Sequence, residues 1–344
     1  MSALPDYRLH RFGQILRRTV VGSSHVSALL LAMALPSVFC NVVLASSFGV
    51  VVPGLGGDVE YEESFGEWTN DFATALQSLD SDDSRISRLK PGAQREEILE
   101  AIEEKANALQ QWVQKMSDSA AGEEARVDPI FILVLVGHGT ADSNTWRFNI
   151  DGPDLTTEDL VVALNAVPAA KQLVVLAASA SGATLEALAQ PGRVVITATK
   201  SGGEINAVRF PGFLAEALKD EAADYDRNEI LTAAEAYRFA EGRTRDAYEK
   251  EKLLASEHSR LRGDGAAEIA VALLGSLKGA KDDPVVASLL DQRLVLEQNF
   301  KTLTSNKINL SVDEYYGELE SLLIDIARLQ QSIDDATGWS DNDS

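Results

Sequence analysis

The hydrophobic pattern of this chain is organised around two apolar runs. Residues 130–136 read Ile-Phe-Ile-Leu-Val-Leu-Val and end in Gly137-His138-Gly139. Residues 172–178 read Gln-Leu-Val-Val-Leu-Ala-Ala and end in Ser179-Ala180-Ser181-Gly182. Neither run alternates with polar residues, so both faces of each should be buried, as in central strands of a parallel sheet. Residues 48–52 and 193–199 read as further strands, and 85–89 as a short one. The β-branched run Val194-Val195-Ile196 supports the fourth of these.

Between the strands the period lengthens. Residues 59–79 place Phe65, Trp68, Phe72, Leu76 and Leu79 on one helical side, with Asp58 as a suitable N-cap. Residues 93–116 carry Ile98, Ile102, Leu109 and Trp112 at helical spacing. Residues 146–150 predict a short β excursion closed by Asp151-Gly152-Pro153. A helix then begins behind Thr156, with Asp159 three positions on to complete a capping box. Residues 182–188 and 210–218 predict short helices, Pro211 being tolerated in a first turn. Residues 232–258 predict a long helix that buries Ala236, Tyr237, Ala240, Tyr248 and Leu253. Alternating strands and helices of this kind imply an α/β fold with a mostly parallel central sheet.

The C-terminal third reads differently. Gly263-Asp264-Gly265 and the stretch 275–283 suggest a linker over 263–283. Two helices follow, from Pro284 to about residue 303 and over 311–336. In the second, Val312, Tyr315, Tyr316, Leu319, Leu322, Leu323, Ile326, Leu329 and Ile333 keep a three-and-four spacing, a seam for another helix. The first helix, with Val286, Leu289, Leu290, Leu296 and Phe300, supplies that partner as an antiparallel hairpin; a second copy or another protein is the alternative. Residues 337–344 form a polar tail.

At the N-terminus, Arg8, Arg11, Arg17 and Arg18 precede a mostly apolar segment over 26–45. That order is the layout of an export signal, with a membrane anchor as the alternative. Residues 1–45 are therefore set apart from a soluble remainder expected in the periplasm or outside the cell.

Composition then excludes some chemistries. The balance of 31 basic against 53 acidic residues, net -22, opposes binding to nucleic acid or anionic lipid. Cys40 is the single cysteine, so no internal disulfide and no cysteine-rich zinc site can form. The four histidines, His10, His25, His138 and His258, show no metal-ligand spacing.

Ligands of parallel sheets bind beyond the C-terminal strand ends. His138 and Ser179 fall there, in the relation of a base to a nucleophile. Strand, Gly137-His138-Gly139, helix, strand and Ala178-Ser179-Ala180-Ser181-Gly182 together resemble the core of the caspase–legumain clan of cysteine peptidases. The resemblance is closest to bacterial legumain-like proteins of the peptidase C13 family. The segments Arg147-Phe148-Asn149-Ile150 and Ser256-Glu257-His258 extend it. It covers residues 46–262 and implies a three-layer caspase-like sandwich, followed here by the helical hairpin. It further implies that His138 is the general base, that the amides of Gly139 and Ser179 face an oxyanion, and that peptide is the substrate. The family's nucleophile is a cysteine two residues before the Ser-Gly pair; this chain has Ser179 there. Cysteine-type endopeptidase activity is accordingly expected to be impaired or absent. The alternatives are a serine-based hydrolase using Ser179 and His138, with Asp142 as the nearest carboxylate to orient the base, or a non-catalytic peptide-binding module.

For the substrate cleft, the glycine-rich turn Pro53-Gly54-Leu55-Gly56-Gly57-Asp58 offers Gly56, Gly57 and Asp58. Ala180, Ser201 and Glu204 lie at neighbouring strand ends, Glu204 as an acceptor for a basic side chain. Ala180 has no polar head, so asparagine specificity is not implied. No cofactor is required by this chemistry. One further motif stands outside it. Over 224–235, Asp224, Asp226, Asn228, Thr232 and Glu235 put oxygen donors at positions 1, 3, 5, 9 and 12 of a calcium-loop template, with the Ile230 carbonyl at position 7. Position 6, where the template has glycine for a sharp turn, holds Glu229, which should weaken the site.

Overall fold

The computed structural model describes residues 46–80, 82–118, 128–142, 145–280 and 283–338. The export segment expected over 1–45 lies outside them. No helix among the described residues is long and apolar enough to cross a membrane.

In chain order, β1 (Ser47–Pro53), α1 (Val59–Gln77), β2 (Ile86–Arg88) and α2 (Arg95–Asp118) lead to β3 (Ile130–Gly137). The short strands β4 (Gly139–Ala141), β5 (Trp146–Phe148) and β6 (Leu155–Thr156) follow, then α3 (Thr157–Ala166) and β7 (Lys171–Ala178). A 3₁₀ turn and α4 (Leu185–Leu188) precede β8 (Arg193–Thr197), α5 (Phe210–Ala217), β9 (Ile230–Thr232) and α6 (Ala233–Glu251). The chain closes with β10 (Arg260–Arg262), β11 (Ala270–Leu273), α7 (Gly275–Ala280), α8 (Pro284–Ser305) and α9 (Val312–Thr337).

The six-stranded central sheet has the order β10-β8-β7-β3-β1-β2. Its strands are parallel except β10, which pairs antiparallel with β8. β3 and β7 lie at its centre and are buried along nearly their whole length, which is why their sequences do not alternate. The two faces are nevertheless distinct. Ile132, Val134 and Val175 pack under α1, α5 and α6. Phe131, Leu133 and Val174 pack under α2 and α3. The result is the three-layer sandwich with a mostly parallel sheet expected of a caspase-like fold, with α8 and α9 as the C-terminal helical hairpin. Each fully buried Leu, Ile, Val or Phe contributes about 1.5–3 kcal/mol, so both layers are needed to hold the strands.

Local signals place several elements well. Thr156 caps α3 and Asp159 completes the box in both directions. Asp58 caps α1 by accepting from the Tyr61 N–H at 3.0 Å. Three expectations are corrected. The long helix ends at Glu251, where Lys252 turns left-handed at φ 57°, and Leu253 is exposed. Of the linker expected over 263–283, the described part is instead folded: β11 pairs antiparallel with β9 and its residues are buried, and α7 follows. The seam of α9 is narrower than its spacing suggests, since Tyr315, Leu329 and Ile333 are buried while Val312 and Tyr316 are exposed.

Candidate active site

The register of the central strands positions the two key residues. β3 and β7 pair in parallel up to Gly137 and Ala178, so His138 and Ser179 leave adjacent strands at the same level. Side chains alternate along a strand. His138 therefore follows Val136, and Ser179 follows Ala177, onto the face that carries α1 and α5. The two residues thus leave one rim of the sheet on neighbouring strands.

His138 is partly buried. Its ring meets Tyr61 edge-on at 4.7 Å between centroids and Phe65 at 5.1 Å. Burial holds its pKa below the ordinary 6.5, while a hydrogen bond to the Gly56 carbonyl and the charge of Asp58 work in the opposite direction. The imidazole is thus neutral at neutral pH and able to take a proton. The backbone of the glycine-rich turn at Gly56 lies beside the ring, and Asp142 does not orient it. Asp142 is occupied elsewhere: it accepts from the Arg147 guanidinium at 2.8 Å and the Thr145 N–H at 3.0 Å.

Ser179 is 2% exposed and its backbone is fixed on both sides. Its carbonyl accepts from the Trp146 indole N–H at 2.9 Å. The next residue, Ala180, sits in the left-handed region at φ 56° and donates its N–H to the Glu204 carbonyl at 2.8 Å. Ser181 is structural: its Oγ accepts the Ala198 N–H at 3.1 Å. Gly139 permits the approach of β4 to this turn, because a Cβ there would stand 2.5 Å from both the Ser179 carbonyl oxygen and Trp146 Nε1. Among the described residues no hydrogen bond joins His138 to Ser179.

The other cleft residues divide. Gly56 reaches His138; Gly57 turns left-handed at φ 77°; Asp58 caps α1 and adds its charge to the histidine. Ser201 is exposed, its Oγ accepting the Gly203 N–H at 3.3 Å. Ala180 is corrected as a substrate contact: it is completely buried and presents no surface. Glu204 is corrected as a receptor for a basic side chain. Its carboxylate already accepts from the Lys200 N–H at 2.9 Å, from the His258 N–H at 3.1 Å and from His258 Nδ1 at 2.5 Å. Burial raises its pKa, but these donors outweigh burial and hold it below the usual range.

Trp146 and the nearness of the Gly56 backbone to His138 were not singled out from sequence, although Gly56 itself was, as a cleft residue. A tryptophan soon after the His-Gly pair was a usable signal, since a buried indole N–H needs an acceptor. Glu257 is a third. It is buried, and it accepts the Arg209 N–H at 2.8 Å, the Phe210 N–H at 3.1 Å and the Tyr248 hydroxyl at 3.1 Å, so it fixes the start of α5.

The acidic loop does converge. Carboxylate oxygens of Asp224, Asp226 and Glu235 lie within 4.8 Å of one another. Asp226 stays solvent-exposed as a residue, yet the partial desolvation of its carboxyl, then the charges of Glu235 and Asp224, push its pKa up to about 7 against the charge of Arg293. Thr232 Oγ1 donates to Glu235 Oε2 at 2.7 Å and caps α6. The Ile230 N–H is taken by Asn228 Oδ1 at 2.7 Å. Asn228 is 7% exposed, and its Nδ2 has no partner. The all-oxygen donor set suits a hard cation in its chemistry, whereas the unpartnered Nδ2 is a hydrogen-bond donor and would not ligate one. Glu229 adopts the left-handed turn that the template requires at position 6, at φ 61°, although it is not glycine.

No protein-family model matches the chain, and neither does any curated protein. Solved structures similar to it include the Drosophila initiator caspase Dronc, at 9% identity and a TM-score of 0.33, over 67% of this chain and 82% of that one. Another is a secreted cysteine protease from Bacteroides thetaiotaomicron in complex with an irreversible peptide inhibitor. It matches at 14% identity and a TM-score of 0.29, over 55% of this chain and 61% of the protease. These likenesses are weak, and nothing about the chemistry of this chain follows from them.

Proposed function

We propose that this chain is a legumain-like peptidase homologue that binds extended peptide at the His138–Ser179 rim, with cysteine-type endopeptidase activity severely reduced or absent. The observation that supports the proposal is the pairing of Gly137 with Ala178, from which His138 and Ser179 follow off neighbouring strands at one level. A thiol with a free pKa of about 8.5 ionises readily beside a neutral histidine. A serine hydroxyl does not, and needs an aligned base with an orienting group. No hydrogen bond among the described residues joins His138 to Ser179, which favours binding over serine-based hydrolysis. With its basic-then-apolar N-terminus, the homologue acts outside the cytoplasm. The test is exposure to a mixed peptide library and a serine-directed phosphonate. Peptide binding without cleavage or labelling is expected. Cleavage, with labelling at Ser179 that disappears in His138→Ala, would establish the serine hydrolase instead.

A second site is proposed on separate grounds. The loop of Asp224, Asp226, Asn228, Ile230, Thr232 and Glu235 takes calcium. The converging carboxylates support it. Calorimetry with calcium tests it: a binding heat lost in Asp226→Asn is expected, and no heat at millimolar ion removes the site.

A further inference from the structure

We infer that His258 is a positioning residue of the His138–Ser179 rim: its imidazole clamps Glu204, whose carbonyl holds the turn that follows Ser179. The clamp stands on geometry alone; its service to peptide recognition rests on the function proposed above.

The turn needs a holder. Ala180 is a non-glycine residue in the left-handed region, at φ 56°, where its Cβ crowds the following carbonyl. It is completely buried, and its N–H donates to the Glu204 carbonyl at 2.8 Å. A second bond lies two residues on, where the Gly182 N–H donates to Thr199 Oγ1 at 2.9 Å. The approach there is close, since a Cβ on Gly182 would come within 2.2 Å of the Ser201 nitrogen. The segment 199–204 is therefore the wall against which the Ser179 turn is built.

That wall is gathered by the Glu204 carboxylate. Lys200, Ser201, Gly203, Ile205 and Asn206 are exposed, so burial does not fix this segment. The carboxylate accepts the Lys200 N–H at 2.9 Å within the segment. It then reaches across to the stretch before β10, accepting the His258 N–H at 3.1 Å and meeting His258 Nδ1 at 2.5 Å. An ionised carboxylate only accepts, so Nδ1 carries the proton. Lys200 Nζ stands 3.3 Å from Glu204 Oε1 and from Nδ1, a second donor to the same carboxylate.

His258 can serve as an anchor because its neighbours are pinned to the body. The hydroxyls of Ser256 and Tyr248 lie 3.0 Å apart. Glu257 accepts the N–H groups of Arg209 at 2.8 Å and Phe210 at 3.1 Å, at the start of α5. The Ser259 carbonyl accepts from the Tyr237 hydroxyl at 3.1 Å. A chain of bonds thus runs from α6 through residues 256–259 and Glu204 to Ala180, one residue from Ser179. Without the imidazole donor the Glu204 carboxylate loses its hold on that stretch, and the Ala180 N–H opens to water more often.

The experiment is hydrogen exchange at the Ala180 amide, read by NMR on the full-length protein. His258→Ala is expected to speed exchange there on the order of tenfold, the loss of a hydrogen bond to a charged group. The amides of β3 and β7 are expected to keep their wild-type rates, because His258 is only partly buried. His258→Asn, whose side-chain N–H takes the place of Nδ1–H, is expected to restore slow exchange. Unchanged exchange in His258→Ala, or no restoration by asparagine, overturns the clamp. The functional arm uses Ser179→Cys and a peptide-derived thiol-reactive inhibitor. Adding His258→Ala is expected to slow labelling on the order of tenfold, and His258→Asn to recover it. Equal labelling with and without His258 overturns the positioning role. Should Ser179→Cys react no faster than a free thiol whatever stands at 138, the peptide-binding reading falls instead, and exchange at Ala180 still decides the clamp.

Discussion

The indole N–H of Trp146 donates a 2.9 Å hydrogen bond to the carbonyl of Ser179, from a side chain that is 0% exposed. The bond fixes the exit of β7 just where Ala180 must turn left-handed. Trp146→Phe removes the donor and leaves a carbonyl without its partner, which costs about 1–3 kcal/mol. Chemical denaturation should show a midpoint lowered accordingly, and an unchanged midpoint would deny the bond its role.

Gly139 stands where β4 crosses that same carbonyl. The nearest atom to an added methyl is backbone, which cannot swing away as a flexible side chain can. Gly139→Ala is expected to destabilise by about 1–3 kcal/mol through overpacking. It is also expected to displace the Ser179 turn, so that affinity for extended peptides falls beyond what the stability loss explains. Equal peptide affinity in wild type and variant would contradict this.

His138 makes stability depend on pH. Its folded pKa is depressed below the ordinary 6.5, chiefly by burial, against the Gly56 carbonyl and the Asp58 charge. A depressed folded pKa means that the unfolded chain binds the proton more tightly. The contribution is then fully present above pH 6.5 and is lost as pH falls through the lower folded value. Denaturation midpoints measured downward from neutral pH should drop more steeply for the wild type than for His138→Phe, which has no proton to bind. Parallel curves would refute it.

Ile333 of α9 is 1% exposed in the cluster that includes Ile230 and Leu277. Ile333→Ala is expected to cost about 2–5 kcal/mol where it packs. Because the hairpin meets the body through this small cluster, the loss should appear as local opening. Limited proteolysis should cut α8 and α9 faster while the sandwich stays intact. Simultaneous cleavage of both parts would show instead that they unfold as one.

These relationships were unevenly legible in the sequence. β3 and β7 were, because a strand buried on both faces carries no alternation to confuse it. The Thr156–Asp159 capping box was legible because its partners lie three residues apart. The fold of 263–283 was not: glycines at 263, 265, 275 and 279 suggest a loop, and the four residues of β11 become a strand only by pairing with β9. Glu204 looked available because its partner His258 lies 54 positions away. Glu229 looked like a defect in a calcium loop, since the donors that hold it in place, at Ser276 and Leu277, follow 47 and 48 residues later. Local chemistry was readable; pairings across distant segments were not.

If the rim at His138 binds peptide as proposed, its reactivity is limited by one oxygen at Ser179. The measurement that addresses it most directly is covalent labelling of Ser179→Cys by peptide-derived thiol-reactive inhibitors, with the wild type as control for Cys40. Labelling at the new thiol is expected to be fast, saturable with peptide, and lost when His138→Ala is added. Reaction no faster than that of a free thiol, and indifferent to His138, would contradict it.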